Sequence, residues 1–251
     1  GYVGAAFGIG FTVGPAIGGL LGEFGPRVPF IAAAALAAAN FLYGMIYFPE
    51  TLSKENRRAF DWRRGNPFGA LKMLGRLPGI IPIGLVLLLW QIASLIYPLT
   101  WGYYLIAGFD ASPRMIGISL TFVGITLALV QFFLTGRIVA RIGERRAAII
   151  GLCAASAAFA GFAVAPHLPI AMLALFIMPF GSIIQPSLAA MVSQRGQANN
   201  QGEIQGFTAS IMSLGAMIAP VTLNPTIAYF TAANAPQRLP GAAFIMAALI
   251  A

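Results

Sequence analysis

Long stretches without a single charged residue constrain the fold of this chain more than any other feature of its sequence. A transmembrane α-helix needs about 20 consecutive, mostly apolar residues. Charge-free stretches of at least that length cover residues 1–22, 28–49, 77–109, 115–136, 147–194 and 204–237. Only 9% of the 251 residues are charged, whereas soluble domains carry about 25%. The sequence therefore predicts an all-α polytopic membrane protein and excludes a disordered chain, a secreted disulfide scaffold and a nucleic-acid-binding domain.

The charge-free stretches divide into eight predicted helices. The stretch 147–194 holds two of them, because the sequence Pro-His-Leu-Pro at 166–169 marks a turn within it. The predicted helices span residues 1–21, 29–48, 79–105, 115–136, 147–165, 169–192 and 203–231, and a truncated one begins at 241. Because the first and last residues both lie in apolar runs, we expect the chain to be a fragment of a longer helical protein.

Basic residues lie mainly on one side of the predicted bundle. The loops 49–78, 137–146 and 193–202 share one side and carry 12 of the 15 lysine and arginine residues. Cytoplasmic loops of membrane proteins are enriched in Lys and Arg. We therefore expect these three loops to be cytoplasmic and the protein to be a multi-pass protein of the inner (plasma) membrane. The net charge of +8 then marks the cytoplasmic side and does not indicate a nucleic-acid partner.

The first predicted helix carries glycine and proline at recurring positions. Glycines at such spacing let a second helix approach closely, and a proline inside a helix removes a backbone hydrogen bond and bends it. The pattern resembles the antiporter signature on the fifth helix of drug/proton antiporters of the major facilitator superfamily. The residues that carry it are Gly1, Gly10, Gly14, Pro15 and Gly19.

This resemblance implies a partial major facilitator fold that runs from the fifth helix to the start of the twelfth. Residues 1–48 would be the last two helices of the N-terminal bundle. The long, basic and proline-containing stretch 49–78 would be the cytoplasmic central loop. Residues 79–251 would then form the C-terminal helical bundle, with its last helix truncated.

A second motif lies between the predicted fourth and fifth helices. It resembles the second copy of the superfamily's cytoplasmic loop motif, G-x-x-x-D-R-x-G-R-R, and implies a cytoplasmic gate loop with a tight turn. Its residues are Gly136, Arg141, Gly143, Arg145 and Arg146. Ala140 stands at the motif's Asp position, so the usual carboxylate is absent. A plain basic loop that holds the cytoplasmic side is the alternative interpretation.

Further residues resemble those of the tetracycline/proton antiporter family. They include Pro49-Glu50-Thr51, Pro98, Trp101 and Gln131, and the predicted helix entrance formed by Gln201, Gly202, Gln205 and Gly206. The resemblance implies export of tetracycline or a related drug. Leu127 and Ala155 stand where that family has a His and an Asp, so the substrate itself stays open.

Neutral polar and aromatic side chains predict the path of the substrate. Such groups suit a bulky, partly apolar ligand, which needs apolar walls and a few oriented hydrogen bonds. We expect the pathway to include Gln91, Trp101, Gln131, Gln185 and Pro186. Hydrogen bonding between packed membrane helices is the alternative role for these polar side chains.

None of the seven acidic residues lies in the middle of a predicted span. Proton-coupled transport usually needs a titratable group inside the membrane. We therefore expect the proton site to lie in the N-terminal helices that the resemblance places before this chain.

The sequence thus predicts proton-coupled export of a small, partly apolar compound by alternating access. The expected partners are the substrate, protons and the lipid bilayer, without nucleic acid or an obligate protein partner. No cofactor, metal or enzymatic activity is expected, because the sequence has neither a nucleotide-binding loop nor a cluster of metal-ligating residues. A uniporter or symporter for a metabolite, a membrane-embedded enzyme and a non-transporting truncated remnant remain as alternatives.

Overall fold

The computed structural model describes residues 27–49, 79–195, 201–232 and 234–251, together with residues 10, 17, 21, 24 and 25. Every regular element within these residues is a helix. Six helices are long and apolar enough to cross a membrane: Val28–Tyr47, Ile80–Phe109, Met115–Ile142, Glu144–Val164, Leu168–Ser193 and Gln201–Thr231. The predicted all-α polytopic architecture is therefore confirmed for this part of the chain.

Three of the six spans are interrupted, so the described helices are more numerous than the spans. They are α1 (Val28–Tyr47), α2 (Ile80–Ser94), α3 (Ile96–Phe109), α4 (Pro113–Leu129), α5 (Gly136–Ile142), α6 (Glu144–Val164), α7 (Leu168–Ala174), α8 (Ile184–Ser193), α9 (Gln201–Thr231) and α10 (Ala242–Ile250). A π-helical turn, Val130–Thr135, separates α4 from α5, and a 3₁₀-helical turn, Met178–Ile183, precedes α8. The regular i to i−4 hydrogen-bond ladder is thus broken inside two spans.

The predicted turns agree with the helix ends, but two spans are longer than expected. The span that begins at Ile80 ends at Phe109 and not at 105. Helix α6 ends at Val164 and α7 begins at Leu168, as the prolines of that turn predict. Helix α5 continues to Ile142, although the apolar run ends at 136. Most of the predicted loop 137–146 is therefore helical. Long arginine side chains can lie along a helix and keep their charge at its end, which explains why charge did not end this helix.

The core of the 79–251 region lies between α2, α3, α6, α9 and α10. Helix α9 packs on α2 and α3, whereas α6 packs on α8, α10 and the 3₁₀-helical turn. The largest fully buried side chains include Trp101, Tyr104, Phe159, Phe162 and Phe244. Small residues bring the backbones close: a Cβ on Gly151 would lie 2.7 Å from Ile184 Cγ1. Bulky rings and close helix crossings together fill the interior.

Two sequence predictions fall largely outside the described residues. Of the antiporter signature, only Gly10 is described, and it is helical; Gly1, Gly14, Pro15 and Gly19 lie outside. Residues 50–78 of the predicted central loop also lie outside the described part. The division into 1–48, 49–78 and 79–251 therefore stays a prediction.

Candidate functional site

A cluster of aromatic rings occupies one face of α3. Tyr97, Trp101 and Tyr104 lie at helical spacing, so they share this face. The ring centroids of Tyr97 and Trp101 are 4.7 Å apart in a stacked arrangement, and Trp101 meets Phe162 of α6 edge-on at 5.1 Å. Phe244 of α10 lies 4.8 Å from Tyr104. Trp101, which is only 2% exposed, is thus part of a packed core.

Hydrogen bonds fix this aromatic cluster to the neighbouring helices. Trp101 Nε1 donates to Ser119 Oγ at 2.8 Å, and the Ser119 hydroxyl in turn donates to the carbonyl oxygen of Ile116. The Tyr104 hydroxyl donates to the carbonyl oxygen of Phe162 at 2.6 Å. The indole N–H of Trp101 and the hydroxyl of Tyr104 are therefore satisfied although they are buried.

Sequence reasoning missed most of this cluster. Tyr104, Phe162 and Phe244 were not among the predicted site residues. The spacing of the aromatic residues at 97, 101 and 104 was the available signal, since it places three rings on one helix face. Their partners on α6 and α10 have no such signal, because the contact depends on how separate helices pack.

Gln91 lies where α2 and α9 cross. It is half-buried, and a Cβ on Gly215 would lie 2.6 Å from Gln91 Cγ. Its neighbour Trp90 points toward the 3₁₀-helical turn. A Cβ added to Gly181 in that turn would lie 3.0 Å from Trp90 Cη2. The two adjacent residues therefore connect α2 to two different spans.

Gln131 connects the two irregular turns. It lies in the π-helical turn, and its Nε2 donates to the carbonyl oxygen of Ser182 in the 3₁₀-helical turn at 2.8 Å. In the same π-helical turn, the Thr135 hydroxyl donates to the carbonyl oxygen of Val130. Side chains thus supply hydrogen bonds where the backbone ladder is irregular.

Gln185 and Pro186 lie at the start of α8, immediately after the 3₁₀-helical turn. Both are exposed within the described part of the chain, and Gln185 Nε2 contacts Met212 Sδ of α9 at 3.4 Å. The structure thus places Gln131 and Gln185 at one turn, Gln131 through its hydrogen bond to Ser182 and Gln185 through chain continuity. Gln91 lies instead at the crossing of α2 and α9. Trp101 lies instead in the aromatic cluster.

Three hydroxyl groups near these elements are buried without a hydrogen-bond partner among the described residues. They belong to Tyr97, Ser182 and Ser187. A buried hydroxyl that lacks a partner costs about 1–3 kcal/mol. A buried group of this kind in a native structure calls for an explanation, and an ordered water molecule or ion that pairs with it is one.

The two positions that depart from the tetracycline family differ in their surroundings. Ala155 is 1% exposed. A Cβ added to Gly181 would lie 3.2 Å from the Ala155 Cβ. Leu127 is half-buried on α4. The methyl group of Ala155 therefore packs against the 3₁₀-helical turn, where the family pattern implies a carboxylate.

The predicted gate loop contains one sharp turn. Gly143 has φ +78° and ψ 162° between α5 and α6, which confirms the turn expected there. Glu144 Oε1 accepts a hydrogen bond from Gln194 Nε2 of the α8 end at 2.9 Å. Arg141, Arg145 and Arg146 are exposed, whereas Gly136 is a regular helical residue at the start of α5.

The predicted helix entrance lies at the start of α9. The Ser193 hydroxyl donates to Gln201 Oε1 at 3.1 Å, so the end of α8 contacts the beginning of α9. Gly202, Gln205 and Gly206 are exposed. No group of three or more His, Cys, Asp or Glu residues in the described part of the chain is placed to hold a metal ion.

Comparison with known proteins agrees with this architecture. Residues 1–220 match the family model described as Major Facilitator Superfamily. The human organic anion transporter MFSD10 (TETRAN) has the same fold over 99% of this chain and 60% of its own, with a TM-score of 0.79 and 24% identity.

Several relatives are tetracycline resistance proteins. The class G protein of Vibrio anguillarum is 32% identical over 88% of this chain and 56% of its own length. The class C protein of Escherichia coli is 32% identical over 89% of this chain and 56% of its own length. Multidrug resistance protein 2 of Bacillus subtilis is 28% identical over 88% of this chain. The chain thus spans a little over half the length of these relatives.

These findings confirm the predicted partial fold and the predicted location as a multi-pass protein of the inner (plasma) membrane. With a family model that matches 220 consecutive residues, six membrane-length helices and a shared transporter fold, the chain belongs to the Major Facilitator Superfamily.

Proposed function

We propose that the protein that contains these spans exports a small, partly apolar compound, such as tetracycline or a related drug, in exchange for protons. The tetracycline and multidrug resistance relatives support this substrate class. The polar residues of the site are neutral amides and hydroxyls, which suit such a ligand better than an organic acid or a metal ion.

The observation that carries the proposal is the hydrogen bond between Gln131 and Ser182, which joins two irregular turns inside adjacent spans. Irregular backbone at membrane depth is tolerated where it is buried in protein or lines a water-filled cavity. Transporters use interrupted helices of this kind near their substrate sites. We therefore assign the substrate pathway to the surroundings of these two turns, with Gln91, Gln131 and Gln185 as its polar groups.

Unpaired hydroxyls support the same assignment. The hydroxyl groups of Ser182 and Ser187 belong to the 3₁₀-helical turn and to α8, and both are buried without a partner among the described residues. A ligand or water molecule that paired with them would recover the free energy of a missing hydrogen bond. Pro186 lies between Gln185 and Ser187 and has no backbone N–H, so the start of α8 has one hydrogen-bond donor fewer.

Alternating access would use the two irregular turns as bending points. The segments on the cytoplasmic side, α5 and α8, would then tilt against α4 and α7 while the 3₁₀-helical and π-helical turns absorb the change. The gate loop, with its turn at Gly143, and the helix entrance at Gln201, Gly202, Gln205 and Gly206 would close the cytoplasmic end. Transport of this type needs no bond-making chemistry, so we propose a transporter and not an enzyme.

Proton coupling is assigned to residues outside this chain. The described carboxylates Asp110, Glu144 and Glu203 lie at helix ends, and a coupling group is expected inside the membrane. The antiporter signature on the first predicted helix supports antiport.

Uptake into everted membrane vesicles tests the proposal. Vesicles that contain the full-length protein should accumulate tetracycline or a related fluorescent drug when the interior is acidic. A protonophore should abolish the accumulation. Drug flux that is independent of the proton gradient would indicate a uniporter instead, and absence of flux for a panel of partly apolar drugs would contradict the proposed substrate class.

A further inference from the structure

Helix α6 presents a continuous exposed stripe along its length. Exposed residues recur every three or four positions, as on one face of a helix: Ile149, Ile150, Cys153, Ala157, Ala160 and Val164. The opposite face, which includes Ala155, Phe159 and Phe162, is buried against the bundle. Because α6 is long and apolar enough to cross a membrane, acyl chains are the natural neighbours of this stripe.

The stripe begins at two arginine residues. Arg145 and Arg146 are exposed and precede Ile149 and Ile150 by one helical turn, so each arginine lies on the same face as one isoleucine. Arg141 is exposed at the end of α5, just before the turn at Gly143. These three arginines, which we call the arginine patch, therefore lie where the lipid-facing surface meets the headgroup region.

The charge of the patch is not balanced within its own segment. Glu144 is the one acidic residue in the sequence 136–146, and its Oε1 accepts a hydrogen bond from Gln194. The neighbouring exposed position on α5 is Ala140, which brings no carboxylate. Arg137 differs from the patch because its Nη1 donates to the carbonyl oxygen of Phe133.

We propose that the arginine patch, Arg141, Arg145 and Arg146, binds the headgroup of an anionic phospholipid whose acyl chains lie along the exposed stripe of α6. Guanidinium groups bind phosphate oxygens with paired hydrogen bonds. Long arginine stems can follow the apolar surface while their charge stays at the interface. The adjoining apolar stripe favours a lipid over a soluble phosphate, since only a lipid fills both parts of the surface.

Native mass spectrometry of the full-length protein, with phosphatidylglycerol or phosphatidylcholine added to the detergent, tests this proposal. We expect tighter binding of phosphatidylglycerol, and this preference should fall as salt screens the charges. The Arg146→Gln variant should weaken phosphatidylglycerol binding about fivefold, the effect expected for one basic residue at a membrane surface. Arg137→Gln, the matched control with the same charge change, should have a smaller effect.

A second pair of variants keeps the test independent of folding and membrane insertion. Ala140→Asp adds a carboxylate beside Arg141 at an exposed position and should weaken phosphatidylglycerol binding, whereas Ala140→Asn should not. Equal binding of the two lipids, or equal effects of Asp and Asn at this position, would overturn the proposal. Displacement of the lipid by inorganic phosphate alone would show a simple anion site and would also overturn it.

Discussion

Gln131 Nε2 donates a hydrogen bond to the backbone carbonyl oxygen of Ser182 across 2.8 Å, and this single bond joins the irregular turns of two adjacent spans. One turn is π-helical and the other is 3₁₀-helical. The two turns depart from the α-helix in opposite senses, since the π-helical turn is wound more widely and the 3₁₀-helical turn more tightly. We therefore expect a movement of one span at this level to displace the other.

Loss of the Gln131 amide should impair transport more than stability. Gln131→Leu removes the donor to Ser182, but hydrogen bonds between membrane helices contribute only about 0.6 kcal/mol on average. The folded fraction should thus stay near that of the unchanged protein. We expect drug uptake by the full-length protein to fall about tenfold, which corresponds to about 1.4 kcal/mol on the transport barrier.

Uptake into everted vesicles and thermal unfolding in detergent measure the two effects separately. Gln237→Leu is the matched control, because this glutamine is exposed in the turn before α10. Unchanged uptake by the Gln131→Leu variant would contradict the assignment of Gln131 to the pathway.

Substitutions of Trp101 should lower mainly the stability of the fold, because its ring lies in the buried aromatic cluster. Trp101→Ala removes a ring that contacts Tyr97, Tyr104 and Phe162, and such truncations cost about 3–5 kcal/mol. Trp101→Phe keeps one aromatic ring but loses the hydrogen bond to Ser119 and part of the buried ring volume, so its cost should be smaller than that of alanine. Thermal unfolding of the purified protein measures both variants.

Tyr103→Ala is the control for Trp101, since Tyr103 is 70% exposed on the same helix. Its unfolding temperature should change little. If Trp101→Ala instead alters drug selectivity without any change in unfolding temperature, then Trp101 lines the pathway and its packing role is minor.

Hydropathy and charge predict the spans well because every membrane helix must satisfy the same length and polarity rules. The turn at Gly143 and the break between Val164 and Leu168 follow from glycine and proline in the sequence. The π-helical turn has no comparable signal. Its sequence, Val-Gln-Phe-Phe-Leu-Thr, is as apolar as its surroundings, and the turn depends on tertiary packing.

Pairings between distant residues are the part of the site that sequence did not predict. Tyr104 and the carbonyl oxygen of Phe162 are 58 residues apart in sequence. Their hydrogen bond depends on the rotation of α3 and α6 about their axes, which hydropathy does not determine when both helices are apolar on several faces. Gln91 and Gln131 were predicted as polar groups of the pathway, but their partners Gly215 and Ser182 were not.

Gly143 should be intolerant of a side chain because of its backbone conformation. Its φ of +78° with ψ of 162° belongs to a region that is essentially restricted to glycine and costs other residues about 1–3 kcal/mol. Gly143→Ala should therefore lower the unfolding temperature even though a Cβ there would meet nothing within 4 Å.

Gly136→Ala is the control in the same motif. Gly136 has helical dihedral angles, and a Cβ there would also meet nothing within 4 Å. Alanine favours a helix over glycine by about 1 kcal/mol, so this variant should be neutral or more stable in thermal unfolding. Equal unfolding temperatures for the Gly143 and Gly136 variants would argue against backbone strain at the turn.

Gly215 should be intolerant of a side chain for a different reason, the close crossing of α2 and α9. A Cβ on Gly215 would lie 2.6 Å from Gln91 Cγ and 2.9 Å from Gln91 Cβ, so the helices or the glutamine must move. Overpacking of this kind costs about 1–3 kcal/mol, which exceeds the gain of about 1 kcal/mol from helix propensity. Gly215→Ala should lower the unfolding temperature, whereas Gly102→Ala, where a Cβ meets nothing within 4 Å, should not.

Combining Gly215→Ala with Gln91→Ala tests whether the loss of stability comes from the contact with Gln91. This second substitution removes Cγ but keeps Cβ at 2.9 Å from the added methyl group, so it should restore part of the lost stability and not all of it. A double-mutant cycle on unfolding free energies measures this coupling, which is expected only between residues in contact. Additive effects of the two substitutions would mean that α2 and α9 do not cross at these residues.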